Sequence, residues 1–285
     1  MTATLAARAS GVSDLLLGVR EALFADELVP YLGPGLLELG ASELPSAPTA
    51  VAAALNKRAP APARIRANMW AVAQFIESRR HRKTLQAFMA DIFAAPATPS
   101  PLQGALAELD LSLIVDAWYD DAMISALRER GKRDFAEVQG VTRAGVAGDL
   151  WTRAYDHRGD EIASAVAAEA RTLVYAPHGG VRPAKNFLVS DSDYVETLTE
   201  IDIQSPIPHP VKQRRATRGF LFLGCRFDDQ MLRTYARQIM KRSRGPHCAV
   251  VEETAMTRNE LRFFCEQDIV ALPTSLQSFE AMLAG

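Results

Sequence analysis

The sequence predicts an α/β protein built on a doubly wound parallel sheet, and three observations carry that expectation. The last third of the chain alternates short apolar runs with helical segments of the length that joins parallel strands. Four segments, LVPYLGPG, LIVDAWYDD, LVYAPHGG and FLFLGCRFDD, are apolar runs that end in small, acidic or histidine residues, as at the C-terminal rim of such a sheet. A chain of 285 residues with 48% hydrophobic content can also bury one large core or two modest ones. We therefore expect residues 1–285 to form a single domain, with a helical insertion at 60–100 and a small irregular lobe at 131–170.

In chain order, Val12 to Ala25 carries apolar positions at helical spacing behind the cap candidates Ser13 and Asp14. Leu28 to Leu32 reads as a strand broken by Gly33-Pro34-Gly35, and an Ala-rich helix from about Ala47 to Leu55 follows the loop ELPSAPT. Arg64 to Phe93 is helical with two apolar stripes, and the proline-rich AAPATPSP ends it. Leu111 to Val115 is a strand, and Ala122 to Leu127 a helix that Asp120-Asp121 can cap. From Gly131 to Arg158 the pattern is irregular, with DFAEVQGV and AGDLWTRAYD as short strand candidates. Asp160 to Ala170 reads as helix, Arg171 to Ala176 as strand, and SDSDYVETLTEI as a helix through Ile201 capped by Ser190 or Asp191. The closing series is strand 219–223, helix 230–241, strand 248–251, helix 257–265, strand 269–272 and helix 275–283.

Charge and cysteine content narrow the functional classes. Thirty-two basic against 34 acidic side chains leave a formal charge of −2, which gives no electrostatic reason to expect nucleic acid or an anionic membrane as partner. The basic clusters at 79–83, 128–133, 212–218 and 241–244 lack interleaved aromatics and read as solvated faces. No stretch approaches a membrane span, and MTATLAARASGVSD has no continuous apolar core of a signal peptide, so a cytoplasmic location is expected. Cys225, Cys248 and Cys265 are too few and too scattered for a disulfide framework or a zinc ribbon, and no metal site is expected.

The strand ends supply the candidate site. A Gly-x-Gly turn such as Gly33-Pro34-Gly35 lets backbone approach a pyrophosphate, and it serves equally as a tight turn. His178, between Pro177 and Gly179-Gly180, is expected at the exposed rim, where an imidazole can take a proton from a hydroxyl or water, or serve as a loop histidine bonded to a carbonyl. Asp120 can accept from an amide or a ribose hydroxyl, or cap a helix with Asp121. Arg226, after Gly224 and Cys225, can meet a phosphate, while Asp228-Asp229 reads as a helix cap.

Taken in order, these pieces resemble the sirtuin-like (Sir2-like) NAD-binding family, in its bacterial branch without a zinc ribbon, over nearly the whole chain. Gly33-Pro34-Gly35-Leu36-Leu37 stands where that family has Gly-Ala-Gly-x-Ser. Asp116 to Asp120 (DAWYD) stands at Thr-Thr-Asn-Tyr-Asp, and Pro177-His178-Gly179 at Leu-His-Gly. Asp193-Tyr194 and Gly224 to Asp229 fill the last two motifs. The resemblance implies a Rossmann-like fold with NAD as cofactor, its pyrophosphate on Gly33, Gly35 and Leu36. It puts the nicotinamide ribose near Asp120, His178 and Gly179, and the adenosine half near Gly224, Cys225 and Arg226.

The departures weigh against chemistry. Trp118 replaces the family asparagine that holds the ribose and attacking water, Leu37 replaces the serine, and Pro34 removes an amide donor. Losing a positioning group at a reacting centre commonly costs on the order of 3 kcal/mol. The favoured reading is an NAD- or ADP-ribose-binding protein with weakened or lost catalysis. The alternatives are an active NAD glycohydrolase with His178 as base, and an interaction protein whose cleft is packed shut by Trp118, Leu36 and Leu37. Lysine deacylation fits less well without a zinc lobe, and a protein partner or homo-oligomer is left open.

Overall fold

The computed structural model describes residues 2–40, 42–142, 150–200, 207–252 and 256–284. Ile201 and residues 143–149, which fall in segments read above as helix and irregular lobe, lie outside the described residues. The strands are β1 (Leu28–Leu32), β2 (Leu113–Asp116), β3 (Phe135–Gly140), β4 (Thr152–Asp156), β5 (Glu161–Ile162), β6 (Thr172–Ala176), β7 (Gly179–Gly180), β8 (Asn186–Phe187), β9 (Gly219–Leu223), β10 (His247–Val251) and β11 (Ile269–Pro273). Nine of them form one sheet in the order β11-β10-β9-β1-β2-β6-β3-β4-β5, while β7 and β8 pair separately. The ladders from β11 through to β3 are parallel, and β4 and β5 add antiparallel at the edge. β3, β4 and β5, which fall in the stretch read from sequence as part of a small irregular lobe, thus extend the central sheet.

β1 is the pivot of the sheet. Its neighbours are β2 on one side and β9 on the other, so the connections leaving β1 and β9 diverge, and a crevice opens beyond their C-terminal ends. All five β1 residues are buried. The β1–β2 ladder begins only at Tyr31, as expected where Pro30 has no N–H to offer.

The strands alternate as a sheet buried on both faces must. Val29, Tyr31, Phe220 and Phe222 point into one core layer, and Leu28, Leu32, Leu221 and Leu223 into the other. The first layer is covered by α2 (Pro48–Arg58), α3 (Met69–Arg80), α4 (Arg82–Ile92), α8 (Asp191–Glu200), α9 (His209–Arg215), α10 (Gln230–Met240) and α11 (Arg258–Glu266). The second is covered by α1 (Thr2–Phe24), α5 (Pro101–Glu108), α6 (Ala122–Glu129) and α12 (Leu276–Ala284).

The stretch 64–93 divides into α3 and α4 because His81 takes a left-handed backbone (φ 69°) between them. The helix expected over Asp160 to Ala170 is reduced to α7 (Ser164–Glu169), its first residues being drawn into β5. Two helices were not foreseen. α5 starts inside the proline-rich break, where Pro101 sits in the first turn and Ser100 and Gln103 form a capping box. α9 is anchored by Arg214, which donates to the carbonyls of Ser112, Ala168, Ala170 and Arg171. No helix among the described residues is long and apolar enough to cross a membrane.

Candidate functional site

The C-terminal rim of the sheet divides into an open half above β1, β9 and β10 and a closed half above β2 and β6. The open half begins with two turns locked backbone to backbone. Gly33 N–H donates to Leu223 O (2.8 Å) and Gly35 N–H to Gly224 O (2.9 Å). A Cβ on Gly33 would lie 2.5 Å from Gly224 O, and one on Gly35 2.9 Å from the same atom. Gly224 holds φ 66°, and its own Cβ would fall 2.7 Å from Leu36 N. The glycines are therefore required by each other, and the Gly35 amide assigned above to a phosphate is already committed. Leu36 is buried in the second core layer.

Beyond these turns lies a cavity of about 690 Å³, within the range of small-molecule sites. Gly35, Trp70, Gly224 to Asp229, Glu252 and Glu260 contribute to its walls. Its charge is mainly acidic, with Glu38, Asp228, Asp229, Glu252 and Glu260 facing Arg64 and Arg226. Arg226 is gripped by Glu260 through Nε (2.8 Å) and Nη2 (3.0 Å), and Glu260 also accepts from the amides of Phe227 (2.9 Å) and Thr257 (2.8 Å). These bonds outweigh its burial and hold its carboxyl down to about 2. Asp229 caps α10 by accepting from Met231 N (2.7 Å), the role the sequence assigned to this pair. Cys225 is half-buried with its Sγ 3.4 Å from Tyr31 O, and burial pushes its thiol up, away from the thiolate form.

The closed half corrects several expectations. His178 is buried, not exposed at the rim. The carbonyl of His178 accepts from Leu188 N and β7 pairs with β8, which folds the 177–188 hairpin over the ring. Its Nδ1 lies 3.0 Å from the Tyr194 hydroxyl, and its ring packs on Tyr235 (4.6 Å between centroids), Tyr194 (5.4 Å) and Tyr119 (6.3 Å). Nε2 has no hydrogen-bond partner among the described residues, and burial drives the imidazole down to about 3, so it is neutral at physiological pH. Gly179, with φ 74°, serves the hairpin, since a Cβ there would lie 2.3 Å from Asn186 O.

Trp118 is equally enclosed. Its indole N–H donates to Pro45 O (2.8 Å), and the ring meets Phe93 and Tyr119 at 6.2 and 5.1 Å. Asp120 accepts from Ala122 N (2.8 Å), opening α6. Burial pushes its carboxyl up to about 6. Around it Asp116, Asp121 and Glu137 are buried, with Asp116 raised by burial and by its neighbours and Glu137 raised to about 7. The structure therefore brings Gly35, Gly224, Cys225 and Arg226 to one cavity, and leaves His178, Gly179, Trp118 and Asp120 off its walls.

A profile of the SIR2-like domain matches residues 112–272, more than half of the chain. The chain belongs to the Sir2-like family. The matched stretch runs from β2 to β11 and contains DAWYD, Pro177-His178-Gly179, Asp193-Tyr194 and Gly224 to Asp229, but not the Gly33–Leu37 turn. No curated protein matches the chain.

The Sir2-like family generally uses NAD, and the two halves of this rim differ in the groups they offer. The crevice offers carboxylates, which accept hydrogen bonds, together with the guanidinium groups of Arg64 and Arg226. The region of Trp118 and His178 offers packed rings and a committed Asp120. Sequence reasoning missed Trp70, Glu252 and Glu260. The Thr257-x-x-Glu260 spacing was a legible capping-box signal, present in full as Thr257 and Glu260 bonding each other's backbone.

Proposed function

We propose that this Sir2-like protein binds NAD or ADP-ribose by its adenosine half and does not cleave the nicotinamide–ribose bond in the closed state described. One observation carries the reading: the cavity is walled by Gly35 and Gly224 to Asp229, whereas His178 lies outside it behind aromatic side chains. Arg226, already oriented by Glu260, and Arg64 supply positive charge for a phosphate. Glu252, Asp228 and Asp229 accept from ribose hydroxyls. A general base must reach the proton it removes, and a neutral imidazole ringed by tyrosines does not. On this reading the protein is a nucleotide sensor of the cytoplasm, a setting suited to its three free cysteines.

Calorimetry with ADP-ribose, NAD and AMP tests the proposal. Saturable heats for all three are expected, with Glu252→Gln weakening each about tenfold, as for one lost hydrogen bond to a charged group. Absence of heat with any of them rejects it. The reading as an interaction protein with a packed cleft is disfavoured, because a cavity of about 690 Å³ remains beside the buried Leu36, Leu37 and Trp118.

A further inference from the structure

We propose that Trp70 is the specificity-determining gate of the rim, a residue that stops a nucleotide in the crevice short of His178 and admits its distal ribose when displaced. What the ligand is rests on the nucleotide reading above, whereas the gate is a property of the chain itself.

Trp70 belongs to both halves. It lines the cavity, yet it is buried and meets Tyr194 edge-on, at 6.1 Å between centroids and 86° between planes. Tyr194 in turn bonds His178 Nδ1 at 3.0 Å. From cavity to imidazole the sequence of groups is thus Trp70, Tyr194, His178. The imidazole beyond them keeps a buried Nε2 without a partner among the described residues, although an unpaired buried polar atom is costly. Most buried polar side-chain atoms find a partner, so this nitrogen calls for an explanation. A histidine with a free nitrogen next to a ligand cavity is arranged to receive something.

The two elements that carry the gate are joined by polar contacts. Arg82, at the start of α4, donates to Asp193 Oδ2 (2.6 Å), Glu77 Oε2 (3.2 Å) and the Phe187 carbonyl, and Gln74 of α3 accepts from Ser192 N (2.8 Å). Asp193 is next to Tyr194 on α8, so the clasp fixes the ring that Trp70 abuts. Arg82 and Asp193 are largely buried, so the clasp holds α3 and α8 together beside the Trp70–Tyr194 ring contact, and separating the two helices would move both gate residues at once.

The test is the accessibility of His178 to diethyl pyrocarbonate, read by mass spectrometry of the intact-fold protein without nucleotide. The ring nitrogen bonds to one carbonyl carbon as the anhydride C–O bond breaks. The displaced ethyl carbonate takes up the ring proton and collapses to ethanol and carbon dioxide. His209, exposed at the start of α9, is the internal standard. In the wild type His178 is expected to react at least about tenfold more slowly than His209, the protection of a site that must open locally. Trp70→Ala, or Trp70→Leu should the alanine variant unfold, should raise the His178 rate at least about fivefold, with the His209 rate unchanged. Equal rates at His178 and His209 in the wild type overturn the gate. So does an unchanged His178 rate in a folded Trp70 variant. None of these outcomes depends on whether the crevice binds ADP-ribose, so failure of the gate and failure of nucleotide binding are read separately.

Discussion

The two halves of the sheet rim are built from similar strand ends and do opposite things. Above β9 and β10 lies a cavity edged with carboxylates and an arginine already gripped by Glu260. Above β2 and β6 the loops fold inward, and Trp118, Tyr119, His178, Tyr194 and Tyr235 pack into one aromatic mass. Similar backbone architecture thus gives a binding surface on one side and a sealed core on the other. The side chains decide it: small and charged residues keep a crevice open, whereas large rings close it.

The sharpest way to break this comparison is at the joint. Gly33→Ala or Gly224→Ala would drive a Cβ into the opposing turn, and each is expected to cost roughly 3 kcal/mol or more, seen as a large drop in melting temperature. Trp118→Asn comes next. Removing a buried indole should cost about 3 kcal/mol, and ribose chemistry should not appear, because His178 stays shut behind Tyr194.

The halves should also answer pH with opposite signs. Glu260 is held below its unfolded value, so its contribution, on the order of 2 kcal/mol, is present above about pH 4.5 and fades as pH falls toward 2. Asp120 and Glu137 are raised to about 6 and about 7. Their stabilising contribution is complete below about pH 4 and is lost as pH rises through 6 to 7, by on the order of 1 kcal/mol. Chemical denaturation across pH should show Glu260→Gln flattening the fall in stability below about pH 4.5 and Glu137→Gln flattening the fall between about pH 4 and 7. The smallest expected effect is His178→Ala on ADP-ribose affinity, within about twofold, since the ring is not part of the cavity wall.

Much of the fold was legible because its signals are local. Apolar runs bounded by glycine, and caps such as Asp229, announce strands and helices without reference to the rest of the chain. α9 was not, because its stability comes from Arg214 reaching carbonyls over 40 residues away in sequence. The site divided in the same manner. Glycines 33, 35 and 224 were recognised as belonging together, although each proves to be the other's packing partner. The burial of His178 was hidden, since a Pro-His-Gly-Gly turn says nothing about which rings will close over it. Trp70 lies on a helix whose apolar stripe reads as ordinary core, and only its position against the cavity distinguishes it.

Release of free nicotinamide from NAD by the wild-type protein near pH 7.5 tests the central claim most directly. An open adenosine crevice beside a sealed imidazole predicts no release above the buffer rate, at NAD concentrations that saturate binding. Steady release that disappears in His178→Ala would contradict it.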